Sequence, residues 1–555
     1  KMLIAQRRKA YSHWIEQEAP ETGGLLWSKY LGFRRRAQIE KRQCSKVSWL
    51  RHVAHGAEAV SKHDLRGFWM WAKGIMHRKH RGGADLGPMF LEDEVTLVYS
   101  PAEKLACWKR YYESLLSDPS GHSKDYEYWK AIFPGPDEPE IPGLNLPLSW
   151  GEVNAALGRL RTGKAPGRDG IPPEFYKLAY EKDTMVFYQG AAHSALGRGL
   201  FRILELMWSS SRVPAQWNEA WIVSILKKGD PKRMGNYRGI SLICVITKIL
   251  TVVLTVRLRD ALESADWFTP RQAGFRVREE CAGHSCALYE ILTRRKIMGK
   301  RTYVAFVDIR KAYDTVPIEN LFRRLERIGV VGKILHFLRA LYSNASVRVR
   351  TKDGLSDSVP ILRGLRQGCN WSPLLFDIFI NDMLDQCNRL GVQLIGLKKH
   401  QREVGLLFAD DLVLISKSRE SLSAALNAIS SWGVTNEMEY GIDKCGIMGF
   451  GEGAMDKLRQ NPNMFHLGNG VVPIVDTYCY LGLPFTCGAV DLGVMAESRA
   501  LKGERFLNSV RGVLACADIP LLIRVRVIKN ILLPILTFGG ELWGMVESRA
   551  KSPQR

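Results

Sequence analysis

Phe408-Ala409-Asp410-Asp411 lies between two apolar runs, Val404-Gly405-Leu406-Leu407 before it and Leu412-Val413-Leu414-Ile415 after it. Short apolar runs on both sides of a two-acid turn predict a β-hairpin, since buried strands are apolar and Asp favours turns. A second run, Tyr303-Val304-Ala305-Phe306-Val307, predicts a buried strand that ends on Asp308. Carboxylates at strand ends are hard oxygen donors suited to Mg²⁺. Two such ions, roughly 3.5–4 Å apart, are what an in-line attack on a nucleoside triphosphate needs.

The segments around these acids predict the order strand, helix, hairpin, helix, strand. Pro317 opens a helix with Leu321, Phe322, Leu325 and Ile328 on its inner face. Val347 and Val349 alternate before Asp353-Gly354, a hairpin signal. Ser372-Pro373 reads as a cap and first-turn pair for a helix through Leu375, Phe376, Phe379 and Met383. Leu422, Ala425, Leu426, Ile429 and Trp432 mark another helix after the acidic hairpin. Upstream, the strand Trp221-Ile222-Val223-Ser224-Ile225-Leu226 ends at Lys227-Lys228, and Arg238 follows after a Gly-Asp-Pro turn. Cations at strand ends can grip a triphosphate, Arg as a planar fork and Lys as a point charge.

In chain order the sequence holds Gly163-Lys164-Ala165-Pro166-Gly167-Arg168-Asp169-Gly170-Ile171, Ile225-Leu226-Lys227-Lys228-Gly229-Asp230, Asn236-Tyr237-Arg238-Gly239-Ile240-Ser241-Leu242 and Gln272-Ala273-Gly274-Phe275-Arg276. After Asp308 come Lys311-Ala312-Tyr313-Asp314, Gly364-Leu365-Arg366-Gln367-Gly368-Cys369, Ser372-Pro373-Leu374-Leu375-Phe376, Asp410-Asp411, Lys444 and Tyr480-Leu481-Gly482. This series resembles the reverse transcriptases of LINE-like, non-LTR retrotransposons. The resemblance implies an α+β right-hand polymerase of fingers, palm and thumb with a helical N-terminal extension, acting as an RNA-directed DNA polymerase in target-primed synthesis. Two Mg²⁺ ions, with Mn²⁺ as a substitute, would sit on Asp308, Asp410, Asp411 and the backbone carbonyl of Ile309. Lys227, Arg238, Ala312, Tyr313, Gln367 and Gly368 would contact the incoming deoxynucleotide. Tyr313 would lie beneath its sugar, where a ring clashes with a ribose 2′-hydroxyl. Lys444 would protonate the pyrophosphate leaving group, and Tyr480, Leu481 and Gly482 would form the primer grip. Template RNA, a DNA primer or target DNA and deoxynucleoside triphosphates are the implied partners.

Three departures from the family pattern stand out. Gly239 replaces a common proline, Asn370-Trp371 a common proline-leucine, and Gly441-Ile442-Asp443 lacks an asparagine often found before the lysine. The rival reading is a catalytically idle RNA-binding scaffold descended from such an enzyme. Clustered acids at 308, 410 and 411 argue against it.

Composition agrees with a polynucleotide partner. Against 57 acidic residues stand 79 basic ones, a net charge of +22, which attracts phosphate backbones in a salt-sensitive way. Residues 1–80 hold 17 Lys or Arg and 6 Asp or Glu, so half of that excess lies in the first seventh of the chain, with clusters at Arg7-Arg8-Lys9 and Arg34-Arg35-Arg36. Lys248 interrupts the longest apolar stretch, and the early charges do not fit a signal peptide. No membrane span and no secretion are therefore expected. Eleven cysteines without paired spacing fit a reducing compartment, nuclear or cytoplasmic. Cys281, His284 and Cys286 are read as structural, because no second ligand pair follows at zinc spacing.

The 555 residues, 46% hydrophobic, suffice for more than one domain. The expected division is a basic helical extension over 1–133, a Pro-rich linker over 134–148, fingers over 149–302, palm over 303–485 and a helical thumb over 486–555, C-terminally truncated. Leu65, Phe68, Trp69, Trp71 and Ile75 predict an aromatic helix in the extension, and Ser149 with Glu152 predicts a capping box at the start of the fingers. Phe506, Val510, Val513, Leu521, Val525 and Ile528 recur at helical spacing in the thumb. The start at Lys1-Met2, with no nuclease-like stretch, zinc knuckle or RNase H acids in view, suggests an excerpt of a longer polyprotein or a decayed copy.

Overall fold

The uniform apolar run 303–307 forms a strand buried along almost its whole length, as a central strand covered on both faces must be. The structure, a computed structural model, describes residues 2–16, 24–62, 64, 67–68, 71, 88–91, 95–135, 137–182, 184–185, 188–227, 229–393, 402–487 and 492–543. The eight strands that build the site are β1 (Glu219–Leu226), β2 (Tyr237–Leu242), β3 (Thr302–Asp308), β4 (Ser346–Val349), β5 (Val359–Pro360), β6 (Gly405–Phe408), β7 (Asp411–Ser416) and β8 (Gly446–Phe450). They form two four-stranded sheets, ordered β8-β3-β7-β6 and β2-β1-β4-β5.

In the first sheet every pairing is antiparallel, and β3 faces β7 in a register that sets Asp308 opposite Asp411. Helices Ile318–Arg327, Ser372–Ile380 and Arg419–Thr435 fall where the apolar spacing predicts them. Arg324 ties them together. Its guanidinium donates to Asn320, Asp382 and Asn436 and lies against Phe133, Phe379 and Trp432. Met383 falls beyond the helix it was expected to close, and Ser372 is a first-turn residue whose hydroxyl donates to the Arg366 carbonyl instead of capping.

The predicted hairpin at Val347 and Val349 does not join the acidic sheet. β4 runs parallel to β1, pairing Glu219 with Ser346, so a segment expected in the palm extends the sheet that carries Lys227 and Arg238. Val347, Val349 and Val359 are buried there with Ala220, Ile222 and Tyr237, under Trp108 and Tyr112 of the helix Pro101–Leu116. That helix was expected in the N-terminal extension. Its buried aromatic face assigns it to this second core, and Ser100 caps it.

The Pro-rich stretch expected as a linker is a strap held at several points. The amides of Glu138 and Ile141 donate to the Arg327 and Gly329 carbonyls, and Arg323 binds Asp137 and the Phe133 carbonyl. Arg257 takes the Leu146 and Pro147 carbonyls together with Glu152, the residue that completes the capping box on Ser149. Prolines donate no backbone hydrogen bond, but their carbonyls still accept, and arginine forks use them.

By contact density the described residues divide into two compact units, one within Lys1–Gly82 and Gly493–Gly540, the other within Gly83–Leu492. In the first unit, Val53, Phe68 and Trp71 share a core with Val510, Val513, Ile519, Ile523 and Val527, which joins the helix Leu25–Ser61 to the helices Leu492–Leu514 and Leu521–Val527. Leu65, Trp69 and Ile75 of the predicted aromatic helix lie outside the described residues. No described helix is long and apolar enough to cross a membrane.

Candidate active site

The β6–β7 turn brings two acids to the sheet edge at the end of the strand that carries the third. Ala409 takes the left-handed φ of 54°, a conformation disfavoured for a residue with a Cβ and kept here by its surroundings. Gln272, buried at 1% exposure, accepts the Ala409 amide at 3.0 Å and the Gly274 amide at 2.7 Å through the same Oε1. A Cβ on Gly274 would strike the Ala409 amide nitrogen. Gln272 and Gly274 thus brace the acidic turn, and His284 packs 6.0 Å behind the Phe408 ring. Burial pushes His284 down to about 4, so it is neutral at physiological pH.

The acids repel one another. Desolvation, then Asp410 and Asp308, push the Asp411 carboxyl up to about 6. Asp410 is raised by desolvation and by Asp308, against the pull of Arg238 and Lys227. Gly441 leaves room for Asp308, since a Cβ there would come within 2.8 Å of Oδ2. The Lys444 ammonium lies 3.2 Å from that oxygen, a cation already drawn to the acids. Among the described residues no three acidic, His or Cys side chains enclose an ion by themselves. An open set of hard oxygens still fits Mg²⁺, which binds through one or two carboxylates and keeps water and substrate phosphates as further ligands.

The second sheet meets the first across a cleft of about 980 Å³. Lys227 at the end of β1 and Arg238 on β2, opposite Ile225, line it together with Asp308, Ile309, Ala312, Tyr313, Asp410 and Lys444. Desolvation and the neighbouring guanidinium lower the Lys227 ammonium pKa, while Asp314 and Asp308 act the other way. Gly239 belongs to this wall. A Cβ there would meet the Tyr112 hydroxyl at 2.5 Å, and that hydroxyl bonds Ser224 Oγ at 3.1 Å.

The floor is the loop 364–369. Gly364 and Gly368 have φ of 93° and 109°, and a Cβ on Gly364 would meet the Asp314 carbonyl at 2.5 Å, so glycine allows the close approach. The Ser241 amide donates to the Gln367 carbonyl at 2.7 Å, which docks the loop on β2. Beneath it Arg366, 5% exposed, donates to the Asn218 and Leu341 carbonyls. Trp371, the residue of the unusual Asn370-Trp371 pair, is buried at 1% exposure ahead of the helix, so its ring enters the core and not the cleft.

Tyr313 stacks on Phe376 at 4.7 Å and meets Phe275 edge-on at 6.4 Å, which fixes its ring against the cleft wall. The primer-grip residues are placed apart from the cleft lining. Strands β9 (Thr477–Tyr480) and β10 (Leu483–Thr486) turn through Leu481 and Gly482, both at positive φ. Tyr480 is buried at 2% exposure, and Tyr478 stacks on Phe306 of β3 at 4.2 Å. The Tyr478 hydroxyl also donates to the Lys444 carbonyl at 2.8 Å, so the hairpin buttresses the acidic sheet.

Residues 225–485 match the family described as reverse transcriptase (RNA-dependent DNA polymerase), a span that contains every one of the acids, cations and glycines above. Over this span the chain is similar to reverse transcriptases, and its relatives include proteins of non-LTR retrotransposons. It is 24% identical over 411 residues to the Pol polyprotein of the type-2 retrotransposable element R2DM from Drosophila melanogaster, covering 70% of this chain and 37% of that protein. Against an R2 Pol polyprotein from Popillia japonica it is 26% identical over 64% of this chain and 47% of the other. The RNA-directed DNA polymerase from the mobile element jockey of Drosophila melanogaster is 24% identical over 72% and 42%. The chain thus spans less than half the length of each of these relatives. The reverse transcriptase domain has the mixed helix and sheet content of a right-hand polymerase, and such domains generally use divalent metal ions.

Sequence reading missed Gln272, Gly274, Gly441 and Asp314 as parts of the site. Gln272 and Gly274 were visible as a motif without a task, and Asp314 as the end of the run from Lys311. Gly441 was visible only as part of a departure from the family pattern before Lys444.

Proposed function

We propose that the chain is an RNA-directed DNA polymerase that extends a primer on an RNA template. One juxtaposition carries this reading: Asp308, which pairs with Asp411 across the sheet, lines one cleft with Asp410, Lys227 and Arg238. Carboxylates alone would suit many metal sites, and cations alone many anions. Lining one cleft together, they suit a metal-bound triphosphate.

Asp308, Asp410, Asp411 and the Ile309 carbonyl would hold two Mg²⁺ ions, with Mn²⁺ as a substitute. Such ions lower the pKa of an attacking hydroxyl and neutralise charge developing on phosphate oxygens. Lys227 and Arg238 bind the triphosphate through charge-assisted hydrogen bonds, and Ala312, Gln367 and Gly368 line the space around sugar and base. Tyr313, held by Phe376 and Phe275, excludes a ribose 2′-hydroxyl by its bulk. Lys444, 3.2 Å from Asp308, is the general acid for the departing pyrophosphate. The hairpin at Tyr480, Leu481 and Gly482 supports the primer end through the sheet it braces.

Template RNA and a DNA primer or nicked target DNA are the partners, and the basic residues of the first 80 positions contribute to RNA affinity. The regions 149–302, 303–485 and 486–555 act as fingers, palm and thumb, with β4 and β5 working in the fingers sheet. The test is primer extension on an RNA template with Mg²⁺ and each triphosphate set. Deoxynucleotide incorporation that is lost in Asp308→Ala supports the reading. No incorporation by wild type, with RNA affinity unchanged in Asp410→Asn, supports the idle scaffold.

A further inference from the structure

Asp314 is a cleft-lining carboxylate outside the acidic triad, and it bonds a residue of the floor loop. Gln367 Nε2 donates to Asp314 Oδ1 at 2.8 Å, and both residues line the cleft. Asp314 follows Tyr313 in the short helix Ala312–Thr315, whose approach is set by the left-handed Lys311 at φ 51°. Gly364 packs against the Asp314 carbonyl, so the loop that bears Gln367 and the turn that bears Asp314 are locked together at two points.

An amide side chain can present either its oxygen or its nitrogen, and its neighbours decide which. An ionised carboxylate accepts and never donates, so it turns Gln367 Nε2 inward and leaves Oε1 as an acceptor. We propose that Asp314 is a positioning residue that fixes the Gln367 carboxamide with Oε1 available to a sugar hydroxyl of the incoming nucleotide. A sugar hydroxyl is the donor that every deoxynucleotide carries whatever its base, which suits a contact that must not read sequence. The inference deepens the polymerase reading and rests on it for the identity of the ligand.

The ionisation state supports the geometry. Burial raises Asp314 to about 6, while Gln367, Lys311, Lys227 and Arg238 hold it down, so it is largely charged above pH 7. Tyr111 and Tyr112 sit on its other side, each with its phenol raised first by desolvation and further by Asp314, so neither supplies a proton there.

A double-mutant cycle tests the coupling, because residues acting through one contact are non-additive and independent ones add. Equilibrium binding of dTTP with Mg²⁺ to the full chain is measured for wild type, Asp314→Ala, Gln367→Ala and the double variant, with incorporation opposite RNA measured in parallel. Each single change is expected to weaken binding about three- to tenfold, the worth of one hydrogen bond, and the double variant no more than the weaker-binding single. Additive losses, or wild-type binding in Asp314→Ala, overturn the proposal, as does a wild type that binds no dTTP. A wild type that binds without incorporating refutes the polymerase reading and leaves the cycle readable. Should Asp314→Ala fail to fold, Asp314→Leu takes its place under the same criterion, since it removes the acceptor while filling a similar space.

Discussion

The two sheets that face the cleft solve opposite electrostatic problems. The β8-β3-β7-β6 sheet gathers carboxylates, with Asp411 raised to about 6 by desolvation and then by Asp410 and Asp308, and the β2-β1-β4-β5 sheet gathers cations, with Lys227 lowered by desolvation and by Arg238. Each wall alone is short of counter-charge. Rigid parts hold the unfavourable clusters in place: Gln272 and Gly274 behind the acidic turn, and Tyr112 over Gly239 behind the cationic strands. A site that stays charged without its ligand is preorganised for one that brings both charges, and a metal-bound triphosphate does so.

The contrast breaks most sharply at the acids. Asp410→Asn is expected to cut incorporation about a thousandfold or more, since metal-borne charge stabilisation is worth several kcal/mol and each 1.36 kcal/mol is about a decade in rate. Single-turnover extension measures it, and a loss under about tenfold would mean the acidic wall is not where the chemistry occurs. On the cationic wall, Lys227→Ala or Arg238→Ala should raise KM for the triphosphate about ten- to a hundredfold, the range for a charge-assisted hydrogen bond, while kcat changes less. If kcat falls and KM holds, the two walls do not divide the work as described. Between them, Tyr313→Ala should narrow the preference for deoxy- over ribonucleotides about tenfold or more, as steric discrimination by a single group allows. Continued rejection of ribonucleotides would remove the gate from Tyr313.

The smallest effect is one of stability. Asp411 has a folded pKa near 6 against an ordinary 3.8, so its penalty is absent below about pH 4 and is fully present once pH rises through 6. In a chelator, Asp411→Asn should therefore melt ~1–2 °C higher than wild type at pH 8 and equally at pH 4. Added Mg²⁺ should stabilise wild type and not the variant. Equal melting at both pH values in the chelator would mean that the acids do not strain the metal-free fold.

Much of the acidic wall was legible in the sequence because its signals are local. An apolar run that ends on Asp308, and two runs around Asp410-Asp411, fix strand, turn and acids within a few residues. The pairing of β1 with β4 was not legible, since Glu219 and Ser346 are far apart in the chain and no local pattern names a strand's partner. The anchoring of the stretch 134–148 was not legible for a related reason: proline-rich composition predicts the loss of helix and sheet, and says nothing of carbonyls taken by Arg257 and Arg323. Likewise Val53 and Val510 share a core that brings the two ends of the chain into one unit, a contact that only folding reveals. Gln272 was read as a motif residue, but its task depends on the left-handed Ala409 it holds, and no sequence rule predicts that conformation for alanine.

The central claim is that Asp308, Asp410 and Asp411 together hold the divalent cations that the triphosphate needs. Mn²⁺ binding to the full chain with primer, RNA template and deoxynucleotide, followed by electron paramagnetic resonance, tests it most directly. Two bound ions in wild type, and at most one in Asp410→Asn at the same free Mn²⁺, is the predicted result. Equal occupancy in wild type and in the Asp308→Ala, Asp410→Asn, Asp411→Asn triple variant would contradict it.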